Sequence, residues 1–301
     1  MFAGFLVALA VTAPLLEGRS IEEAMRVLGI VIGAAIVVAM GAWDDKKELG
    51  PFPQLTAQVA AALVAVSFGI VIDKVTNPLG TPFENSLLYF PTPVAIGITI
   101  LWIMGAMNAI NFIDGIDGLA SGITAIAALV LAIHSLQMGQ YSVAVLPLAL
   151  AGCTLGFLPH NFFPAKLTMG TSGAMFLGYA IGTMSIVGGT KAATLLLVLG
   201  IPIVDAGWII IRRVAAGRSP FRGDRTHLHY RLLDMGLTTP QIVVIMYLLS
   251  GSLGALALLI SSRVLKLYTI LGMIALMIGV LALIAQRTMG RGADNEKSGD
   301  S

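Results

Sequence analysis

The sequence predicts an all-α integral membrane protein of about ten transmembrane helices with a cytoplasm-facing groove. Three observations carry that expectation. Hydrophobic side chains make up 57% of the 301 residues and charged ones only 11%, against roughly a quarter in an average soluble domain; mean hydropathy is +0.90. The apolar residues fall into separate runs close to the ~20 residues that a spanning helix needs. The polar clusters between those runs collect on one side.

In chain order, nine runs qualify as spans: about 27–43, 55–72, 93–110, 118–137, 142–158, 172–187, 191–211, 241–262 and 267–286. A tenth opens the chain, from Met1 to Leu16. At 1.5 Å per residue it reaches only ~24 Å, short of a ~30 Å hydrocarbon core. It lacks a positive flank and a small-residue cleavage site, so it reads as the later half of a helix and not as a signal peptide. The expected organisation is one membrane domain over 1–289 and a polar, unstructured cytoplasmic tail over 290–301. Cys153 stands alone inside an apolar run, which excludes a disulfide within the chain. The net charge of +2 gives no pointer to nucleic acid, and no internal repeat is evident.

Orientation follows from the basic residues. The side that holds "DDKKELGPFPQ", "NFIDGID", "PHNFFPAKLTMGT", residues 212–240 and the tail carries 12 of the 18 Lys and Arg, and the opposite side 6. The excess places the first side, with every polar cluster of interest, in the cytoplasm.

Four segments on that side can carry chemistry. In "WDDKKELGP", Asp44 and Asp45 end a span. Adjacent carboxylates repel, which a cation between them relieves; a helix end rimmed with interfacial charge is the plainer reading. In "NFIDGIDGLASG", Asp114 and Asp117 stand three apart, on one side of a helical turn. Gly115, Gly118 and Gly122 let backbone approach closely, and such a group suits Mg2+ shared with phosphates. In "HNFFPAKLTMGTSGAMFLGY", His160, Asn161 and Lys166 precede a turn at Gly170 and Gly173 whose N–H groups can cradle a phosphate; a simple loop fits equally. In "RRVAAGRSPFRGDRTHLHYRLLDMG", Arg212, Arg213, Arg218, Arg222, Arg225 and Arg231 surround His227 and His229. Some of these arginines answer the positive-inside bias or anionic lipid, whereas "DRTHLH" suits phosphate recognition. Asp205, in "GIPIVDAGW", is an intramembrane carboxylate and so a functional candidate, or else a helix-to-helix hydrogen bond. His134 lies in a span near the opposite face and reads as structural.

Taken together these segments resemble the polyprenyl-phosphate N-acetylhexosamine-1-phosphate transferases (glycosyl transferase family 4), which include the enzymes initiating teichoic-acid and O-antigen lipid carriers. Phospho-N-acetylmuramoyl-pentapeptide transferase is a more distant member. "WDDKKELGP" is similar to the family's double-aspartate motif and "NAINFIDGIDGLASG" to its "NxxDGxDGLA". "GFLPHNFFPAK" and "IPIVDAGW" fit as well, and "DRTHLHYRLLDMG" is similar to "DRxHLHHRLLDxG". The resemblance implies a multi-pass protein of the bacterial cytoplasmic membrane. There it would transfer N-acetylhexosamine-1-phosphate from a UDP-sugar, UDP-N-acetylglucosamine for instance, to undecaprenyl phosphate with release of UMP. It implies Mg2+ (or Mn2+) held by Asp44, Asp45, Asp114 and Asp117. Asp44, Asp45 and Asp114 would be catalytic, with Asp44 or Asp45 accepting the lipid phosphate's proton. Asn111, Asp117, Asn161, Lys166, Arg225, His227 and His229 would bind substrate. It leaves a homodimer open.

Three positions depart from the pattern. Where the family reads "MGDTGS", this chain has Met169-Gly170-Thr171-Ser172-Gly173-Ala174, with Thr171 at the expected metal-ligand position. Gln54 stands for a lysine and Tyr230 for the second histidine of an "HH" pair. These motivate an alternative, a catalytically impaired member that still binds nucleotide-sugar or lipid. Met1 would align inside the family's second span, so the resemblance implies an upstream start codon or a truncation. An ion-coupled transporter would place its carboxylates near the midplane of repeated halves, and a CDP-alcohol phosphotransferase would need an arginine where "DGLASG" has none.

Overall fold

The computed structural model describes residues 1–12, 14, 20–77, 87–189, 191–217 and 227–298, with side chains to residue 283. In chain order the helices are α1 (Phe2–Thr12), α2 (Ile21–Lys47) and α3 (Pro51–Ser67), a hairpin of β1 (Lys74–Thr76) and β2 (Leu87–Tyr89), then α4 (Thr92–Ile113), α5 (Leu119–Gln137), α6 (Tyr141–Asn161), α7 (Gly170–Met184), α8 (Ala192–Val198), α9 (Gly200–Ala215), α10 (Leu228–Asp234), α11 (Thr239–Leu259) and α12 (Arg263–Ser298). The backbone of α12 thus continues past Gly290. The two strands are antiparallel, with Val75 opposite Leu88.

Local chemistry sets several of these ends. Ser20 caps α2 by accepting the Glu23 N–H at 3.2 Å, while Lys46 and Lys47 sit in its last turn, where cations meet the negative end of the helix dipole. Pro51 starts α3, a position where the missing N–H costs nothing. Thr238 and Gln241 form a capping box on α11, the Gln241 side chain accepting the Thr238 N–H at 2.9 Å, so two otherwise orphaned donors are satisfied.

The all-α membrane architecture holds, and the count is revised. Among the described residues six helices are long and apolar enough to cross a membrane: α2, α4, α5, α6, α11 and the 263–283 part of α12. The 191–211 run is a broken element, α8 and α9 bent by 79° at Leu199–Gly200, and makes a seventh if taken as one span. The runs at 1–16, 55–72 and 172–187 give helices of 11, 17 and 15 residues. At 1.5 Å per residue α7 covers only ~22 Å. It is apolar for another reason: every residue from Ala174 to Met184 is buried.

Small residues let α7 sit that deep. A Cβ on Gly33 of α2 would lie 1.9 Å from the Tyr179 hydroxyl, and one on Gly178 would lie 2.4 Å from the Met107 Cα of α4. Such close backbone approach is how helices associate where lipid removes the hydrophobic drive between them. The Tyr179 hydroxyl donates to the Gly29 carbonyl at 3.0 Å. Between α3 and α4, Gln58 and Asn108 exchange amide hydrogen bonds of 3.2 and 3.0 Å. This packing sets the ends of α2, α4 and α7, from which the aspartate clusters project.

Candidate functional site

The double aspartate divides its work. Asp44 is buried and its Oδ2 accepts from Gln54 Nε2 at 2.8 Å, while Oδ1 is buried without a hydrogen-bond partner. Asp45 reaches across to the start of α7. Its Oδ1 accepts the Thr171 N–H at 2.7 Å, and its Oδ2 accepts the Ser172 N–H at 3.2 Å and the Ser172 hydroxyl at 2.8 Å. The geometry needs glycine at 170: φ is +67°, and a Cβ there would meet the Asp45 carboxylate at 2.7 Å. The Asp45 carboxylate therefore caps the N-terminus of α7, where N–H donors and the helix dipole favour an acidic side chain. Thr171 contributes its backbone N–H to this contact.

The turn after α4 carries the second pair. Asp114 ends α4. Burial first, then the charges of Asp45 and Asp117, push its carboxyl up to about 7. Asp117 Oδ2 accepts the Ala165 N–H at 2.9 Å, tying this turn to the segment after α6. Asn161 orders the same segment: its Oδ1 accepts from the Ser121 hydroxyl at 2.8 Å and its Nδ2 donates to the Leu167 carbonyl at 3.0 Å. His160 and Lys166 are exposed beside it.

The histidines gather on the other side of α4. His227 Nδ1 lies 2.8 Å from Asp205 Oδ2, and both Asp205 oxygens accept the Leu228 N–H, at 3.1 and 3.2 Å. The intramembrane carboxylate of α9 thus holds the start of α10. The His227 ring packs on Phe112, with centroids 5.3 Å apart, and stacks on His229 at 5.7 Å and 4°. His229 is buried against Gly115 and Tyr230, with Nε2 lacking a hydrogen-bond partner. Burial, then the neighbouring His227, holds it down to about 4 against the pull of Asp205, so it is neutral at physiological pH. Arg218, Arg222 and Arg225 lie outside the described residues.

His227 and Gln54, the partner of Asp44, line a groove of about 760 Å³ between α3, α4, α8 and α9. Its walls are mostly apolar, Leu101, Leu195, Leu199 and Ile210 among them, and Gln54, Asn111, Arg213 and His227 also line it. Asp44, Asp45, Asp114 and Asp117 do not form one ligand set: no group of three or more His, Cys, Asp or Glu among the described residues is arranged to hold a metal ion. Asp114 feels the charges of Asp45 and Asp117.

One positioning residue carries no sequence motif. The Tyr247 hydroxyl of α11 donates to the Gly118 carbonyl, and a Cβ on Gly122 would lie 1.9 Å from that oxygen. Tyr247 therefore pins the turn that carries Asp114 and Asp117. Tyr247→Phe is expected to lower stability by about 1 kcal/mol, read as a drop in melting temperature in detergent; an unchanged melt would show that the hydroxyl holds nothing.

Comparison with known proteins follows the same lines. Glycosyl transferase family 4 matches residues 27–189. The chain is 35% identical to a probable undecaprenyl-phosphate N-acetylglucosaminyl 1-phosphate transferase of Bacillus subtilis (strain 168), over 98% of this chain and 81% of that protein. It is 31% identical to the decaprenyl-phosphate N-acetylglucosaminephosphotransferase of Mycobacterium leprae (strain TN), over 83% of this chain and 69% of the relative. It is also 31% identical to the phospho-N-acetylmuramoyl-pentapeptide-transferase of Clostridium botulinum (strain Eklund 17B / Type B), over 75% and 71%. Matched along more than half its length by the family and along nearly all of it by the Bacillus relative, the chain belongs to glycosyl transferase family 4, among relatives named as polyprenyl-phosphate N-acetylglucosamine-1-phosphate transferases.

Proposed function

We propose that the protein transfers N-acetylhexosamine-1-phosphate from a UDP-sugar to undecaprenyl or another polyprenyl phosphate. UMP is released, and a lipid-linked envelope glycan is begun at the cytoplasmic face of the bacterial inner membrane. The observation that carries this reading is the groove. An apolar trough of about 760 Å³ suits a prenyl chain, and its polar lining of Gln54, Asn111, Arg213 and His227 suits a phosphate. In the reaction an oxygen of the lipid phosphate forms a bond to the sugar-bearing phosphorus. The bond from that phosphorus to the bridging oxygen breaks, and its electrons leave with UMP.

The donor set fits Mg2+. The oxygens are hard, Asp44 Oδ1 is buried without a partner, and Asp114 carries the repulsion of Asp45 and Asp117. Mg2+ is usually held by one or two carboxylates, with phosphates and water completing the shell, so three converging side chains are not required. Asp44 and Asp114 would hold it, with Asp117 near the nucleotide. Bound there, it supplies charge compensation to the diphosphate. Asn111 and Asp117 recognise the UDP-sugar, and Lys166, on the segment that Asn161 orders, reaches its phosphates. A second reading, a binding protein without turnover, has one observation in its favour: both oxygens of Asp45 are occupied by α7.

Purified protein in detergent with undecaprenyl phosphate, Mg2+ and UDP-N-acetylglucosamine is expected to release UMP. Binding of the UDP-sugar with no UMP from it or from other UDP-hexosamines would select the second reading.

A further inference from the structure

The lipid phosphate must lose a proton to become a good nucleophile. Transfer of its headgroup into an apolar groove beside carboxylates favours the protonated form. The double aspartate is otherwise engaged: Asp45 is held by three donors from α7, and Asp44 has one oxygen on Gln54 and the other assigned above to the cation. A different acceptor lies on the groove wall.

Among the described residues no hydrogen bond reaches His227 Nε2, and that atom is not sealed in as His229 Nε2 is. Its other nitrogen, Nδ1, lies 2.8 Å from Asp205 Oδ2. A carboxylate accepts only, so the proton of a neutral ring sits on Nδ1 and Nε2 presents its lone pair. Asp205 is itself fixed from a second direction by the Leu228 N–H, given to both of its oxygens. Phe112, at 5.3 Å between centroids, and His229, stacked at 5.7 Å, both pack against the ring. Among the described residues, Asp205 meets the ring at Nδ1 and Arg213 shares the groove lining with it.

We infer that Asp205 is a positioning residue that orients His227 and fixes its tautomer, making His227 Nε2 the acceptor of the lipid phosphate's proton. The lipid hydrogen phosphate passes its proton to Nε2, and the ring becomes imidazolium. Asp205 stays ionised, so the pair goes from a net charge of −1 to 0. The freed phosphate oxygen attacks the sugar-bearing phosphorus, and the proton departs with the released UMP. This rests on the transferase reading and adds to it the identity of the base and of the residue that aims it.

The test uses the full chain in lipid nanodiscs with 15N-labelled histidine, His227 being assigned by its absence from His227→Gln. The parent is expected to show the Nδ1–H form at His227. In Asp205→Asn the ring should shift toward the Nε2–H form. Its kcat for UMP release should fall by roughly 10²- to 10⁴-fold, the usual contribution of a positioned general base, with KM for both substrates within threefold. Asp205→Glu, which keeps the carboxylate, should recover part of the kcat and the parental tautomer. A parent that turns over while Asp205→Asn stays within threefold of its kcat, or keeps the Nδ1–H form, overturns the dyad alone. A parent that releases no UMP overturns the transferase reading and the dyad's catalytic role with it.

Discussion

In metal-free mixed micelles, Asp114→Asn becomes more stable relative to the parent as pH rises, by roughly 4 kcal/mol between pH 4 and pH 8. The Asp114 carboxyl is raised from 3.8 to about 7, mainly by burial and then by the charges of Asp45 and Asp117. Between those two values the folded protein keeps a proton that the unfolded chain has released. The stability linked to it is complete below 3.8 and is lost as pH rises through about 7. Asparagine does not titrate, so the variant lacks this slope. His229 works in the opposite sense: held down to about 4, it costs stability as pH falls below the ordinary histidine range. Both proteins share that term, and it cancels in their difference. Mg2+ at pH 8 should restore the parent and leave the asparagine variant unmoved. Below about 7, the parent's Mg2+ affinity should fall by up to tenfold per pH unit as Asp114 takes up its proton. Denaturant titrations of both proteins at pH 4, 6 and 8, with EDTA and with Mg2+, measure all of this. Parallel stability curves would show that Asp114 carries no buried charge.

Hydropathy made the membrane architecture legible, because runs of ~20 apolar residues have few other uses. It could not tell a helix facing lipid from one facing protein. The 172–187 run is apolar since α7 is wrapped by α2 and α4; Gly178, which admits Met107, and Gly33 of α2, which admits Tyr179, were the hint available. The bend in the 191–211 run was hidden for a similar reason. A Cβ on Gly200 would lie 2.2 Å from the sulfur of Met273, so the glycine at the break packs against a residue of α12 that no local pattern reveals.

The site was legible where chemistry follows from residue type. Asp44, Asp45, Asp114, Asp117 and the histidines stood out because charge beside a membrane is costly and needs a reason. Pairing was not legible. Asp205 and His227 are 22 residues apart and Tyr247 and Gly118 are 129 apart, and no spacing rule links them. The bonds of the Asn161 amide to Ser121 and Leu167 were equally hidden. Side chains whose partners lie on other helices are assigned only once those helices are packed.

Thr171→Asp makes the protein's stability depend on Mg2+. In the parent, the N–H groups of Thr171 and Ser172 both point at Asp45, at 2.7 and 3.2 Å, so one anion satisfies the first turn of α7. A carboxylate at 171 would compete for those donors and face Asp45 at close range. Such repulsion is about 1 kcal/mol in water and severalfold more as the site dries. In EDTA the variant should melt several degrees below the parent. A divalent cation reverses the sign of that interaction, because two repelling carboxylates become two ligands. Millimolar Mg2+ should therefore recover the loss, and Mg2+ should bind the variant about tenfold more tightly than the parent, a gain of about 1.4 kcal/mol. Melting curves across a Mg2+ series read both effects without any need for turnover. A variant whose melting ignored Mg2+ would place residue 171 out of the ion's reach. Asp45 would then be a helix cap and nothing more, and cation binding would fall to Asp44 and Asp114 alone.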